Sequence, residues 1–187
     1  GPEGTSVPFT ERLAEASYRD EHWNVRAQLQ HFQTIDEELL EELRPYARTP
    51  RVLASGDWDL GLGAINYGFD GEFVNFVRDV GVTGWRMDVA PRLGFDWSAP
   101  GFFVRPSAGY RYTQYALEDT APGADDSPSR SLPFASFDAG LVFERSSGSR
   151  GQRRMTLEPR ALYLYTPFRE QSELPLFDTG LPDLNFV

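Results

Sequence analysis

Apolar and polar side chains alternate without a break over one stretch of the chain, Trp85-Arg86-Met87-Asp88-Val89-Ala90-Pro91-Arg92-Leu93-Gly94-Phe95-Asp96-Trp97. Because successive side chains of a β-strand point to opposite faces, this period of two predicts a strand. The even positions are polar or small. The odd positions form a wholly apolar row that consists of Trp85, Met87, Val89, Pro91, Leu93, Phe95 and Trp97. The stretch therefore predicts a strand with one apolar and one polar face.

The same alternation recurs elsewhere in the chain and predicts an all-β, antiparallel fold of about eight strands. Clear repeats of the pattern occur at residues 23–30, 102–113, 135–144 and 154–165. Weaker candidates run over residues 13–19, 51–60 and 64–78. Prolines at positions 91, 106 and 159 fall on the apolar rows, where each removes a backbone donor, so we expect bulges or locally loosened pairing there.

The predicted connections alternate between short turns and longer loops. Residues 20–22, 61–63 and 98–101 form the short set. The long set is residues 36–49, 118–131 and everything beyond 167, with 79–84 and 146–152 intermediate in length. Short turns at one end and long loops at the other are typical of outer-membrane β-barrels, in which the short turns are periplasmic. By that rule the acidic long loops lie outside the cell.

Composition supports strands and turns and excludes several classes of function. The chain has 187 residues with 14 Phe, 8 Tyr, 4 Trp, 17 Gly and 14 Pro, a mixture that favours strands joined by turns. A net charge of -10 argues against a nucleic-acid partner, because phosphate binding needs clustered basic residues. There is no cysteine for a disulfide or a thiolate metal site, and no apolar run is long enough for a transmembrane helix.

Alternation alone leaves two architectures open. One is a membrane β-barrel whose apolar rows face lipid; the alternative is a soluble β-barrel or sandwich that turns its apolar face inward and binds a hydrophobic ligand. Three features favour the membrane: strands of about 13 residues where soluble ones average about 5 to 6, aromatic residues at the ends of the apolar rows, and arginines recurring on the opposite face.

Short motifs along the chain occur in an order that narrows this choice. The earlier ones are Phe32-Gln33-Thr34-Ile35-Asp36, Arg44-Pro45-Tyr46, Asp70-Gly71-Glu72-Phe73-Val74-Asn75-Phe76, Gly84-Trp85-Arg86-Met87-Asp88, Gly109-Tyr110-Arg111-Tyr112-Thr113, Ser129-Arg130-Ser131-Leu132-Pro133 and Gly140-Leu141-Val142-Phe143-Glu144-Arg145. The most diagnostic stretch follows, with Thr156-Leu157-Glu158-Pro159-Arg160, Tyr163-Leu164-Tyr165-Thr166-Pro167, Pro175-Leu176-Phe177-Asp178-Thr179 and Asp183-Leu184-Asn185-Phe186. Together, over about residues 18 to 187, they resemble the barrel of the LptD (OstA/Imp) family of lipopolysaccharide (LPS) assembly proteins.

The resemblance implies a function that the alternation does not. Members of that family form a large barrel, near the ~26-strand end of the known range, in the outer membrane of Gram-negative bacteria, plugged by an LptE-type lipoprotein. They take LPS from a periplasmic Lpt bridge, through a domain absent from this chain, and insert it into the outer leaflet. We therefore expect a transport and membrane-biogenesis role, no enzymatic activity and no cofactor. Residues 1–12 would be a flexible or truncated N-terminal segment, and residues 13–187 a part of the barrel domain incomplete at both ends.

The two rows give the candidate site residues. If the apolar rows face lipid, the lipid-facing set is Trp85, Met87, Val89, Leu93, Phe95, Trp97, Leu157, Tyr163 and Tyr165. The lumen-facing set is Arg86, Asp88, Arg92, Arg105, Arg111, Asp138, Glu158 and Arg160. These arginines could guide the phosphates of lipid A, or they could form cross-strand ion pairs with the carboxylates in a wet lumen. We favour the ion pairs.

Motifs for catalytic, cofactor-binding or metal-binding residues are absent. His22 and His31 are nine residues apart, with no carboxylate or cysteine at metal-ligand spacing, and are interpreted as a turn residue and a strand residue. Gly61-Leu62-Gly63 lacks the third glycine and the helix of a dinucleotide site and is interpreted as a turn. The acidic run at residues 36–43 could share divalent cations with surface LPS, but a solvated loop is the simpler interpretation.

Overall fold

The computed structural model describes residues 9–34, 44–61, 64–147, 153–170, 174, 175 and 177. Their regular structure is all β-strand. The strands are β1 (Phe9–Arg19), β2 (Trp23–Thr34), β3 (Ala47–Asp59), β4 (Ile65–Val77), β5 (Thr83–Phe95), β6 (Trp97–Ala99), β7 (Phe102–Glu118), β8 (Ser129–Leu141), β9 (Phe143–Ser147), β10 (Arg153–Leu157) and β11 (Arg160–Tyr165). Among the described residues there is no helix long and apolar enough to cross a membrane.

The strands form a meander in which neighbours in sequence are neighbours in space. The main sheet has the order β1-β2-β3-β4-β5-β7-β8-β11, β6 pairs with β7, and β9 pairs with β10 as a separate hairpin. Every pairing is antiparallel. This confirms the predicted all-β, antiparallel class. In the described part of the chain the sheet is open, with β1 at one edge and β11 at the other.

Three pairs of these elements are continuous strands with a local break. Against β7, Gly94 of β5 lies opposite Ser107 and Trp97 of β6 lies opposite Val104, so β6 continues β5 in the same register. β9 and β10 likewise continue β8 and β11, and the Leu141 N–H donates across the break to the Pro159 carbonyl over 3.0 Å. The described residues therefore form eight long strands, as predicted.

Prolines explain the breaks. Proline has no N–H to donate to a neighbouring strand. Pairing of β5 with β7 lapses at Pro91 and again opposite Pro106, and Pro159 separates β10 from β11, in each case without a shift of register. The predicted loosening of the pairing at these three prolines is confirmed. A register shift occurs instead in β3 between Arg48 and Arg51, the segment that contains Pro50.

Some predicted boundaries are wrong. The turn predicted at residues 98–101 consists of only Pro100 and Gly101, because β6 runs through Ala99. Pro–Gly is the pair that type II turns favour, and Gly101 has a φ of 99°. β1 begins at Phe9, ahead of the predicted start at residue 13. β3 begins at Ala47, inside a predicted loop.

At the end of the sheet that carries the long loops, β8 is also longer than predicted. β7 and β8 pair as far as Gln114 opposite Ser129, so β8 starts before its predicted first residue, Ala135. Pairing with β7 extends β8 back over residues 129–134, a mixture of polar and apolar residues that the alternation did not identify as strand. The acidic run at residues 36–43 lies outside the described residues.

Candidate functional site

Strand register extends the two rows of β5 into two faces of the whole sheet. Val89 lies opposite Gly71 of β4 and Tyr112 of β7, and paired residues of antiparallel strands share a face. Followed in this way across the sheet, the predicted lipid-facing residues share one face, called here the apolar face: Trp85, Met87, Val89, Leu93, Phe95, Trp97, Leu157, Tyr163 and Tyr165. Seven predicted lumen-facing residues share the other, the polar face: Arg86, Asp88, Arg92, Arg105, Arg111, Asp138 and Arg160.

Glu158 is the exception. It lies in the break between β10 and β11 and is exposed, and it has no ion pair with another described residue. Strand register establishes only which residues share a face. That the apolar face contacts lipid and the polar face lines a lumen stays a prediction.

A charge network occupies the centre of the polar face. The Glu72 carboxylate accepts a hydrogen bond from Arg51 at 2.6 Å and another from Arg86 at 2.7 Å. Asp88 pairs with the Arg111 Nε at 3.3 Å and accepts the Thr113 hydroxyl hydrogen bond at 2.6 Å. Thr113 is almost fully buried. Each carboxylate is thus satisfied by side chains from neighbouring strands.

Ion pairs continue toward the short turns. Arg92 binds Asp70 and, at 2.6 Å, Asp57. Arg160 donates two parallel hydrogen bonds of 2.8 Å each to Asp138, the fork geometry that makes arginine–carboxylate pairs strong. The predicted cross-strand pairing of these arginines with carboxylates is present in the structure, whereas the wet lumen around them stays a prediction. The arginine next along this series, Arg105, pairs with Asp96 at 3.0 Å.

A cavity of about 560 Å³ opens on this network. Five arginines and three carboxylates line it, together with Asn24, Ser55 and Thr113. Its walls offer hydrogen-bond donors in excess over carboxylates, which suits water and polar or anionic groups. Among the described residues no group of three His, Asp or Glu side chains could hold a metal ion. The chemistry of this arrangement is recognition of polar groups, with the positive charge slightly in excess.

Sequence reasoning missed an apolar cluster at the long-loop end of the polar face. Phe177 stacks on Phe76 of β4 with ring centroids 4.4 Å apart, and Val74 and Tyr115 complete the buried core of the cluster. Tyr46 packs edge-on against Phe177 at 5.0 Å. The sequence did contain a sign of this cluster, because Val74 and Phe76 lie on the polar row of β4, where the alternation predicts polar residues.

Aromatic residues form rows on the apolar face. Near the short turns, Trp23 contacts Trp58 edge-on at 5.0 Å, and Trp97 contacts Phe102 at 5.1 Å. Near the long loops, Phe73 stacks on Trp85 at 4.9 Å. Rings at the two ends of strands with aliphatic residues between them are the pattern of interfacial aromatic girdles.

The first short turn is held by a single carboxylate. Asp20 accepts hydrogen bonds from the backbone N–H groups of Trp23 at 2.7 Å and His22 at 2.9 Å, and from the Tyr18 hydroxyl at 2.8 Å. These bonds favour the charged form and lower the pKa of Asp20, with the Trp23 N–H as the largest cause. His22 stacks on Trp58 with ring centroids 6.3 Å apart. The interpretation of His22 and His31 as turn and strand residues is confirmed.

The fold and these two faces define a class: a meander of long antiparallel strands, apolar on one face and ion-paired on the other. Comparison with known proteins gives the family. The family model described as "LptD: LPS transport system D" matches residues 4–186. This chain belongs to the LptD family.

Curated relatives agree. The chain is 42% identical over 175 residues to the LPS-assembly protein LptD of Nitrosococcus oceani, which covers 92% of this chain and 24% of that protein. It is 41% identical over 170 residues to the LptD of Alkalilimnicola ehrlichii, with 88% and 22% covered. It is 34% identical over 194 residues to that of Xanthomonas campestris, with 85% and 24% covered. The chain thus spans about a quarter of the length of these relatives.

Proposed function

We propose that this chain is part of a transmembrane β-barrel in the bacterial outer membrane, within the translocon that inserts LPS into the outer leaflet. The apolar face meets lipid and the polar face lines the lumen. The role is structural and in transport, without catalysis. Membership of the LptD family and the names of its relatives as LPS-assembly proteins support this function.

One observation carries the proposal: the distribution of burial is inverted relative to a soluble protein. Side chains of the ion-paired Glu72 and Arg86 are only 16% and 15% exposed, whereas Trp97 and Tyr163 on the apolar face are 57% and 64% exposed. Soluble proteins bury large apolar side chains and expose charges. In a barrel whose polar face points inward, the charged side chains pack closely together and lose exposure, while the apolar face points outward to the hydrocarbon of the membrane.

Dimensions support crossing by the strands. β5 has 13 residues, which at about 3.3 Å each span roughly 43 Å. A tilt near ~40° leaves about 33 Å along the membrane normal, enough for the ~25 Å apolar band of an outer-membrane barrel. The aromatic rows then fall close to the two interfaces.

The proposed partners are those of such a machine. LPS is the cargo, an LptE-type lipoprotein fills the barrel, and the periplasmic Lpt bridge delivers LPS through a domain outside this chain. The cavity lined by Arg51, Arg86 and Arg111 faces the lumen in this arrangement. Its excess of arginine suits the polar, anionic part of the cargo or the polar surface of the plug.

Fractionation of cells that express the full parent protein tests the proposal. We expect recovery with the outer membrane and release only by detergent. Depletion of the parent should reduce LPS at the cell surface. Recovery in the soluble periplasm without detergent would favour the alternative, a soluble barrel or sandwich that binds a hydrophobic ligand, and would contradict the membrane assignment.

A further inference from the structure

A basic hairpin projects beyond the short-turn end of the sheet. Leu141, the last residue of β8, lies opposite Phe102, the first residue of β7. β9 and β10 extend beyond this pair. Residues 143–157, called here the basic hairpin, contain four of the 18 basic residues of the chain and one acidic residue, Glu144. Four basic residues against one acidic residue make this hairpin net positive, whereas the whole chain has a net charge of -10.

The arginines of the basic hairpin differ by face. Arg154 lies on the polar face and pairs with Glu144 at 2.9 Å. Arg145 lies directly opposite Met155, and Arg153 is two residues from Met155 on the same strand, so all three share the apolar face. Both arginines are exposed, and neither guanidinium has a hydrogen bond or ion pair with another described residue.

Apolar side chains stand directly beside these two cations. Phe143 and Leu157 are paired across the hairpin, and Met155 between them and the tip is 71% exposed. Arginine can lay its aliphatic stem along apolar surface while its charged head reaches the membrane interface. The guanidinium fork binds phosphate oxygens in a bidentate manner. An apolar strip that ends in two guanidinium groups without a partner among the described residues has the chemistry to hold an acyl chain and a phosphate at the same time.

We propose that Arg145 and Arg153 bind the phosphate headgroup of an anionic phospholipid in the membrane leaflet at the short-turn end, with its acyl chain along Met155, Leu157 and Phe143. The inference rests on the proposed function, because it needs the apolar face in lipid. Short turns of outer-membrane barrels are periplasmic, so this lipid belongs to the inner leaflet. Charge complementarity favours an anionic phospholipid over a neutral one, because each basic residue near an anionic membrane surface strengthens binding to it about fivefold.

Photo-crosslinking from the full parent protein tests the site. Benzoylphenylalanine replaces Met155, and the protein is inserted into vesicles of equimolar phosphatidylglycerol and phosphatidylcholine. Mass spectrometry of the adducts gives the ratio of the two lipids. We expect at least a fivefold preference for phosphatidylglycerol, reduced to near unity by the combined Arg145→Gln and Arg153→Gln substitutions. Because the Debye length falls to about 3 Å in ~1 M salt, high salt should have the same effect.

Two matched controls separate the possible failures. Arg154→Gln, on the other face of the same hairpin, should leave the preference intact. The same probe at Leu93, on the apolar face of β5, should give lipid adducts without preference in every variant, which also shows that each variant has inserted. Absence of lipid adducts at Leu93 in the unsubstituted protein would contradict the proposed function. Adducts at both sites with no preference at residue 155, or an equal loss in Arg154→Gln, would overturn the lipid site alone.

Discussion

Glu72 of β4 and Asp88 of β5 lie directly opposite each other on the polar face. Like charges in this arrangement destabilise a sheet. Here Arg51 and Arg86 neutralise Glu72, and Arg111 neutralises Asp88. The arginines at the centre of the polar face are therefore counter-ions of the sheet itself, and any role toward cargo comes in addition to this one.

The bond between Glu72 and Arg86 should contribute measurably to stability, because both side chains are largely shielded from solvent. Arg86→Gln should cost on the order of 1 to 3 kcal/mol. A double-mutant cycle with Glu72→Gln should give a coupling free energy of about 0.5 to 3 kcal/mol. Urea unfolding of the parent barrel in lipid vesicles measures both quantities.

Arg154 and Glu144 provide the control, because theirs is an exposed pair of the same kind. Exposed pairs contribute about 0 to 1 kcal/mol. A coupling between Glu72 and Arg86 no larger than that of the control pair would show that the polar face is as wet as the hairpin tip, and that these charges contribute little to the fold.

Phe177 should be an anchoring residue of the apolar cluster that it forms with Phe76 and Tyr46. Phe177→Ala removes a ring that stacks on Phe76 at 4.4 Å and contacts Tyr46 at 5.0 Å, and we expect a loss of about 3 kcal/mol, the lower end for such a truncation in a core. Phe168→Ala is the control, since its side chain is 85% exposed and its loss should stay within about 0.5 kcal/mol. Equal effects in urea unfolding would contradict the anchoring role.

The sequence predicted the class of fold and the division into two faces because both follow from period two, which is local. It also located the family, through motifs that lie mainly in strands and turns. Val74 and Phe76 on the polar row of β4 indicated that an apolar partner covers them, but the partner could not be identified, because Phe177 lies about one hundred residues further along the chain. Some predicted strand bounds were wrong for a related reason. Pairing with β7 extends β8 back to Ser129, and this pairing joins residues that are not neighbours in the sequence. Register against neighbouring strands likewise decided which arginine meets which carboxylate.

Asp20 should make the stability of the first hairpin depend on pH. Its folded pKa lies below the ordinary value of 3.8, so its contribution is complete above that value and is lost as the pH falls through the folded pKa. Asp20→Ala should therefore be less stable than the unsubstituted protein at pH 7, and this difference in stability should shrink as the pH falls below 3.8. Asp20→Asn, which keeps an acceptor without a charge, should show a weaker dependence on pH. If the difference in stability between Asp20→Ala and the unsubstituted protein stays constant down to strongly acidic pH, the charged form of Asp20 does not stabilise the hairpin.

Val89 and Leu93 test which face meets lipid. Val89 lies near the middle of β5, and Val89→Arg should cost roughly 2 to 4 kcal/mol if the side chain faces hydrocarbon. Arg92→Leu, on the polar face, should cost much less, because its partners Asp57 and Asp70 are both more than half exposed. A soluble barrel with its apolar face inward would also suffer from Val89→Arg, so this variant does not distinguish the two architectures.

The discriminating variant is Val89→Leu combined with Leu93→Phe. On the apolar face, Val89 lies opposite Gly71 and Tyr112. Leu93 lies opposite Tyr67 and Ala108 and is 51% exposed, so larger side chains extend outward from the sheet. Acyl chains move aside for added methylene groups, and we expect a change near zero for unfolding in lipid vesicles. In a close-packed protein core the same enlargement costs typically about 1 to 3 kcal/mol. A loss of that size, measured by refolding from urea into vesicles, would reverse the assignment of inside and outside, and with it the placement of the charge network of Glu72 and Asp88 in the lumen.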